Sequence, residues 1–182
     1  MQVGMIARVV GTLGILAVVI GFSGTLAVAQ SSLNATPEGV AVDGFDVLAY
    51  FADGAPREGL AAYSVRYLDR DWHFATAEHA ALFAANPAKY APQSTSYCSH
   101  ALSEGYTAEV DVIDGWTIIG GKLYLNWSRD VRDVFLAKQD TRVAKVAQNW
   151  PALLAGLADG TTRFYPHSSD ASVQISHPQK LP

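Results

Sequence analysis

The soft donors of this 182-residue chain are few: one cysteine and five histidines. Cys98 and His100 stand two residues apart, in Tyr97-Cys98-Ser99-His100. In an extended segment, residues two apart project to the same side, so a thiolate and an imidazole would converge on one point. Such a pair suits Cu(I) or Zn(II). On a helix the same spacing separates the two side chains by about 200°. The local conformation therefore decides what the pair can do. Two other readings stay open: a buried cysteine acting as a small hydrophobe beside an exposed histidine, and a reactive thiol activated by His100.

His79 is the next donor. With Leu82 and Phe83 it occupies positions i, i+3 and i+4, one face of a predicted helix. It reads either as a core histidine bonded to backbone or as a third metal ligand. His73 lies in the alternating run Trp72-His73-Phe74, facing away from the two aromatics, toward solvent or over a site. His167 and His177 have no partner spacing and read as solvated. Trp72, Trp116, Tyr124 and Phe83 read as core. Asp111 and Asp114 flank a predicted turn, and no calcium-loop pattern accompanies them.

Composition narrows the partners. Hydrophobic residues make up 49% and charged residues 16%, which excludes a disordered or fibrous chain. The net charge of −4 argues against a nucleic-acid surface, which needs clustered Lys and Arg. A single cysteine excludes an internal disulfide framework and a multi-cysteine zinc ribbon. Residues 1–29 carry one charge, Arg8, then an apolar run and Ala27-Val28-Ala29 before Gln30. They read as a secretory signal peptide, so the expected location is periplasmic or secreted. Membrane attachment is expected only if that segment stays uncleaved, since its uncharged span is long enough to cross a bilayer. In an oxidising compartment a lone thiol is buried, metal-bound, reactive or paired with another molecule, which singles out Cys98.

The elements that must position these donors are short. After a lead-in at 30–37, Asp46 is placed to cap a helix over 47–51. Two alternating runs, 63–67 and 72–74, flank the turn-rich Leu68-Asp69-Arg70-Asp71 and form a hairpin with Tyr63, Val65 and Tyr67 on one face. Thr76 caps the helix that carries His79, and Asn86-Pro87 ends it. Gly120-Gly121 joins a second hairpin. Ser128 caps a helix to about 138, and a further helical run over 142–157 is interrupted at Trp150-Pro151. Residues 159–182 are polar and unpatterned, a loosely held tail. The expected fold is α+β: two β-hairpins packed with several short helices, in one domain over 38–158.

Several separated motifs resemble the YHS domain family. Its metal-handling members carry Phe-Cys-Ser-x-x-Cys-x-x-x-Phe-x-x-x-Pro-x-x-Tyr, and Phe74, Phe83, Pro87 and Tyr90 keep that spacing. Gly44-Phe45-Asp46-Val47-Leu48-Ala49-Tyr50-Phe51 is similar to the lead-in of exported single-domain members. Tyr97-Cys98, Gly105-Tyr106-Thr107-Ala108, Gly121-Lys122-Leu123-Tyr124-Leu125-Asn126 and Asn149-Trp150-Pro151 follow in the same order. The resemblance covers roughly residues 38–152 and implies a small α+β fold in an exported family. The two motif cysteines fall on Ala75, which has no donor atom, and on His79, which has one.

The expected function is therefore an exported, non-enzymatic domain binding copper or zinc for storage, delivery or sensing. Its candidate ligands are Cys98, His100, His79 and His73. The alternative is a structural or protein-interaction module with no metal and an unknown protein partner. No catalytic constellation is read: Cys98-His100 lacks a third orienting group and a recognisable oxyanion motif.

Overall fold

The structure, a computed structural model, describes residues 35–167. The expected leader at 1–29, residues 30–34 of the lead-in, and His177 with the rest of 168–182 lie outside the described residues. The fold is α+β, two antiparallel hairpins packed with helices, as the residue pattern predicts.

Helix α1 (Val47–Ala52) starts where Asp46 Oδ1 accepts the Leu48 N–H at 2.8 Å. Val47, Leu48, Ala49 and Tyr50 are all buried, and their apolar area drives this short helix into the core. The first hairpin pairs β1 (Leu60–Tyr67) with β2 (Arg70–Phe74). Its turn residues Leu68 and Asp69 both adopt positive φ, +50° and +56°, as a two-residue primed turn requires. Val65 lies opposite Trp72 and Tyr67 opposite Arg70. Tyr63 was expected on the same face as Val65 and Tyr67, but it is exposed. The register shifts between Leu60 and Ser64, and that irregularity takes Tyr63 out of the alternation.

Thr76 Oγ1 accepts the His79 N–H at 3.1 Å and opens α2 (Ala77–Ala85). Pro87 begins the single turn α3 (Pro87–Tyr90) directly after it. Phe83 of α2 lies between Trp72 and Phe74, with ring centroids 5.0 Å away in each case. This stack ties the hairpin to the helix and forms the centre of the larger core. Next come α4 (Ser99–Ser103) and the short β3 (Thr107–Ala108). The second hairpin joins β4 (Trp116–Ile119) to β5 (Lys122–Leu125) through Gly120 and Gly121, with φ of +58° and +73°. Ser128 Oγ caps α5 (Arg129–Leu136) by accepting the Val131 N–H.

Two further features depart from the sequence reading. The final helix, α6 (Gln139–Asp159), runs through Pro151 without a break. Proline removes one ladder hydrogen bond, but Val146 and Leu153 are buried on either side of it. They pack with Tyr97, Leu102, Tyr124 and Phe135 in a second core cluster. Gly160, at φ +78°, then ends the helix. The chain beyond is also more ordered than its polarity suggests. Thr162 donates from its N–H to the Gly156 carbonyl and from Oγ1 to the Leu153 carbonyl, both at 2.9 Å. This fold-back delivers β6 (Phe164–Tyr165) alongside β3 in parallel pairing. Among the described residues no helix is long and apolar enough to cross a membrane.

Candidate functional site

Cys98 is the residue immediately before α4, with φ −57° and ψ 114°, so it is not helical. His100 is the second residue of the helix. Because Cys98 is not helical, helical geometry does not fix the angle between the two side chains. Both residues border one small cavity of about 20 Å³, together with Tyr106, Trp127, Val131 and Tyr165. That is room for a single water-sized or ion-sized occupant.

Cys98 is 1% exposed. The Trp127 N–H donates to Sγ at 3.3 Å. Burial pushes the Cys98 thiol up from its ordinary range, while the backbone N–H groups of Ala101, Trp127 and His100 pull the other way. The Tyr106 hydroxyl is likewise pushed up, first by burial and then by the neighbouring Cys98, Glu104 and Tyr165. The site therefore keeps its acids protonated at neutral pH, which argues against a thiol poised for nucleophilic attack.

The backbone of His100 is held by Asn126. Its N–H donates to Asn126 Oδ1 at 3.2 Å, and Asn126 Nδ2 donates to the Gly115 carbonyl at 3.2 Å. Asn126 is fully buried and sits directly after β5, so it connects the second hairpin to the start of α4. The sequence assigned Asn126 no role beyond its place in the motif Gly121-Lys122-Leu123-Tyr124-Leu125-Asn126. Sequence alone does not mark Tyr106, Trp127 and Tyr165 as walls of the cavity, because each comes from a different segment. A polar residue closing an apolar strand, as in Leu123-Tyr124-Leu125-Asn126, is the one local signal that could have pointed to Asn126.

His79 is used elsewhere. Its Nδ1 lies 2.6 Å from Asp46 Oδ2, and the Asp46 side chain is completely buried. Asp46 also accepts the N–H of Ala75 at 2.9 Å, besides that of Leu48. The carboxylate thus joins α1, the end of β2 and the first turn of α2. His73 lies on β2 against the chain entering β1. A Cβ on Gly59 would fall 2.4 Å from the His73 carbonyl carbon, so only glycine fits there. Among the described residues, no group of three or more His, Cys, Asp or Glu side chains is placed to hold a metal ion. Neither His79 nor His73 therefore completes a three-donor set with Cys98 and His100.

His167, read from sequence as solvated, packs its ring on Trp127 at 3.9 Å between centroids, and its Nε2 lies 3.1 Å from the Trp127 carbonyl. Asp111 forms a local turn, with Oδ1 accepting the N–H groups of Ile113 and Asp114, and Asp114 pairs with Arg129 at 2.5 Å. Compared with family models, curated proteins and solved structures, the chain finds no match.

Proposed function

We propose that this chain is an exported, non-catalytic domain that holds one Cu(I) ion between Cys98 and His100, for storage, delivery or sensing. The observation that carries this reading is that both residues border the same ion-sized cavity. Thiolate sulfur selects soft Cu(I), and imidazole accepts it. Zinc is the weaker candidate, because it asks for three or four protein ligands in a tetrahedral set. No such set exists among the described residues. The ion would have to displace the thiol proton, so affinity should rise with pH. The N–H groups directed at the sulfur would stabilise the thiolate once formed. The resemblance to exported YHS domains and the leader-like residues 1–29 support a place outside the cytoplasm.

A second reading is favoured by one specific contact. The sulfur already accepts the Trp127 N–H, and a buried cysteine so bonded serves equally as a packing residue in a module without metal. Anaerobic Cu(I) titration of the full chain against a chromogenic chelator separates the two. One equivalent should be retained by the parent protein and by His79→Ala, and lost in Cys98→Ser and His100→Ala. Failure of the parent to retain copper, or equal retention by Cys98→Ser, would leave only the second reading.

A further inference from the structure

One residue bordering the Cys98 cavity comes from the chain beyond the last helix: Tyr165, in β6. We propose that residues 161–167 are a gate. Docked, they close the cavity; released, they let small soft ions and thiol reagents reach the sulfur. The gate's use for copper rests on the copper reading, but the closure itself does not.

Burial requires that something move. Cys98 is 1% exposed, so no solute reaches it in the closed state. Ala101, Ala108 and Val131, which also border the cavity, are buried members of the larger core and leave only if that core unfolds. The strap is held more lightly. Its pairing with β3 is two residues long, Phe164 is exposed and Tyr165 is half-buried. Segments with few buried contacts open at a smaller cost than the whole domain.

The strap nevertheless bears directly on the site. The Thr107 N–H donates to the Arg163 carbonyl at 2.9 Å and the Glu109 N–H to the Tyr165 carbonyl at 3.0 Å. Between them, the Ala108 carbonyl accepts the Cys98 N–H at 3.0 Å. Tyr165 packs edge-on against Tyr106, with centroids 5.3 Å apart. The His167 ring lies on Trp127, whose N–H donates to Sγ, and the His167 N–H donates to Glu109 Oε2 at 2.5 Å.

The docked position is also built into α6. Glycine is a poor helix former, yet Gly156 is buried inside that helix. A Cβ there would run into the Thr162 hydroxyl and lie 3.1 Å from Thr162 Cβ. The hydroxyl cannot swing aside without losing its bond to the Leu153 carbonyl. Gly156 is thus the notch that receives the strap, and Gly160, at φ +78°, is the turn that sends it back.

The test follows alkylation of Cys98 by iodoacetamide in the folded full chain, with urea midpoints measured alongside. Gly156→Ala fills the notch, borders no part of the cavity and favours the helix itself. It should label at least tenfold faster than the parent, as should Tyr165→Ala. His79→Ala, whose ring is bonded to Asp46, should label at the parent rate. Labelling of the parent should respond weakly to urea below the unfolding transition, because release of the strap exposes little surface. Parent-rate labelling in the folded strap variants overturns the proposal, as does an equal acceleration by His79→Ala. If one strap variant fails to fold, the other decides. If neither folds, the parent's urea response decides, and a slope as steep as that of unfolding overturns the proposal. The reagent involves no copper, so failure here leaves the copper reading to its own titration.

Discussion

Asp46 Oδ2 and His79 Nδ1 meet at 2.6 Å across 33 residues of sequence. One carboxylate thereby caps α1, holds the N–H of Ala75 and fixes the ring in the first turn of α2. Its removal strands several buried donors together. Asp46→Ala should lower unfolding free energy by about 3 kcal/mol. His79→Ala removes one bond and should cost about 1–2 kcal/mol. Urea unfolding measures both. A loss within about 0.5 kcal/mol for Asp46→Ala, as at an ordinary surface position, would refute its role as a staple.

Stability should decline on the alkaline side. Burial raises the Cys98 thiol above its ordinary 9.0, and raises Tyr50, Tyr97, Tyr106 and Tyr124 above 10.0. The unfolded chain releases these protons at the ordinary values, while the native chain keeps them. The native state then binds more protons, so stability is intact below about pH 9 and falls as pH rises beyond it. Tyr50 donates to the Val112 carbonyl at 2.7 Å. Tyr50→Phe should cost about 1 kcal/mol at neutral pH yet flatten the alkaline decline. Urea midpoints from roughly pH 7 to 10.5 test the sign, and an unchanged slope in the variant would contradict it.

The Cys98 thiol should be sluggish in the folded protein. It is protonated at neutral pH and walled off from solvent. Alkylation by iodoacetamide should proceed about 100-fold more slowly than in the urea-unfolded chain. Labelling at comparable rates in both states would mean that the cavity opens readily.

Gly115 should tolerate no side chain. A Cβ there would lie 2.2 Å from the Asn126 carbonyl oxygen and 2.6 Å from that of Asp111, both of them backbone atoms. Gly115→Ala should destabilise by about 3 kcal/mol. Asn126→Ala, which strands the His100 N–H, should cost about 2 kcal/mol. Both should disturb the amide signals of Cys98 and His100 in heteronuclear NMR. A silent spectrum in either variant would show that the second hairpin does not hold the site.

The caps Asp46, Thr76 and Ser128, the Gly120-Gly121 turn and the Asn86-Pro87 stop were legible because each acts on residues within a few positions of itself. Alternation in the first hairpin was legible only as far as the register held, which is why Tyr63 was misplaced. Pro151 misled for a related reason. Its local penalty is real, but the burial of Val146 and Leu153 against distant residues outweighs it.

By itself, then, the chain's order of residues determined an α+β domain, its start and stop signals, and the few donors able to do chemistry. Tertiary packing alone decided how those donors are shared out: Cys98 and His100 to one cavity and His79 to Asp46. Backbone preferences are set by near neighbours, whereas a wall or an ion pair is made by side chains from segments far apart in sequence. Only the buried apolar area that draws those segments together can choose among the pairings.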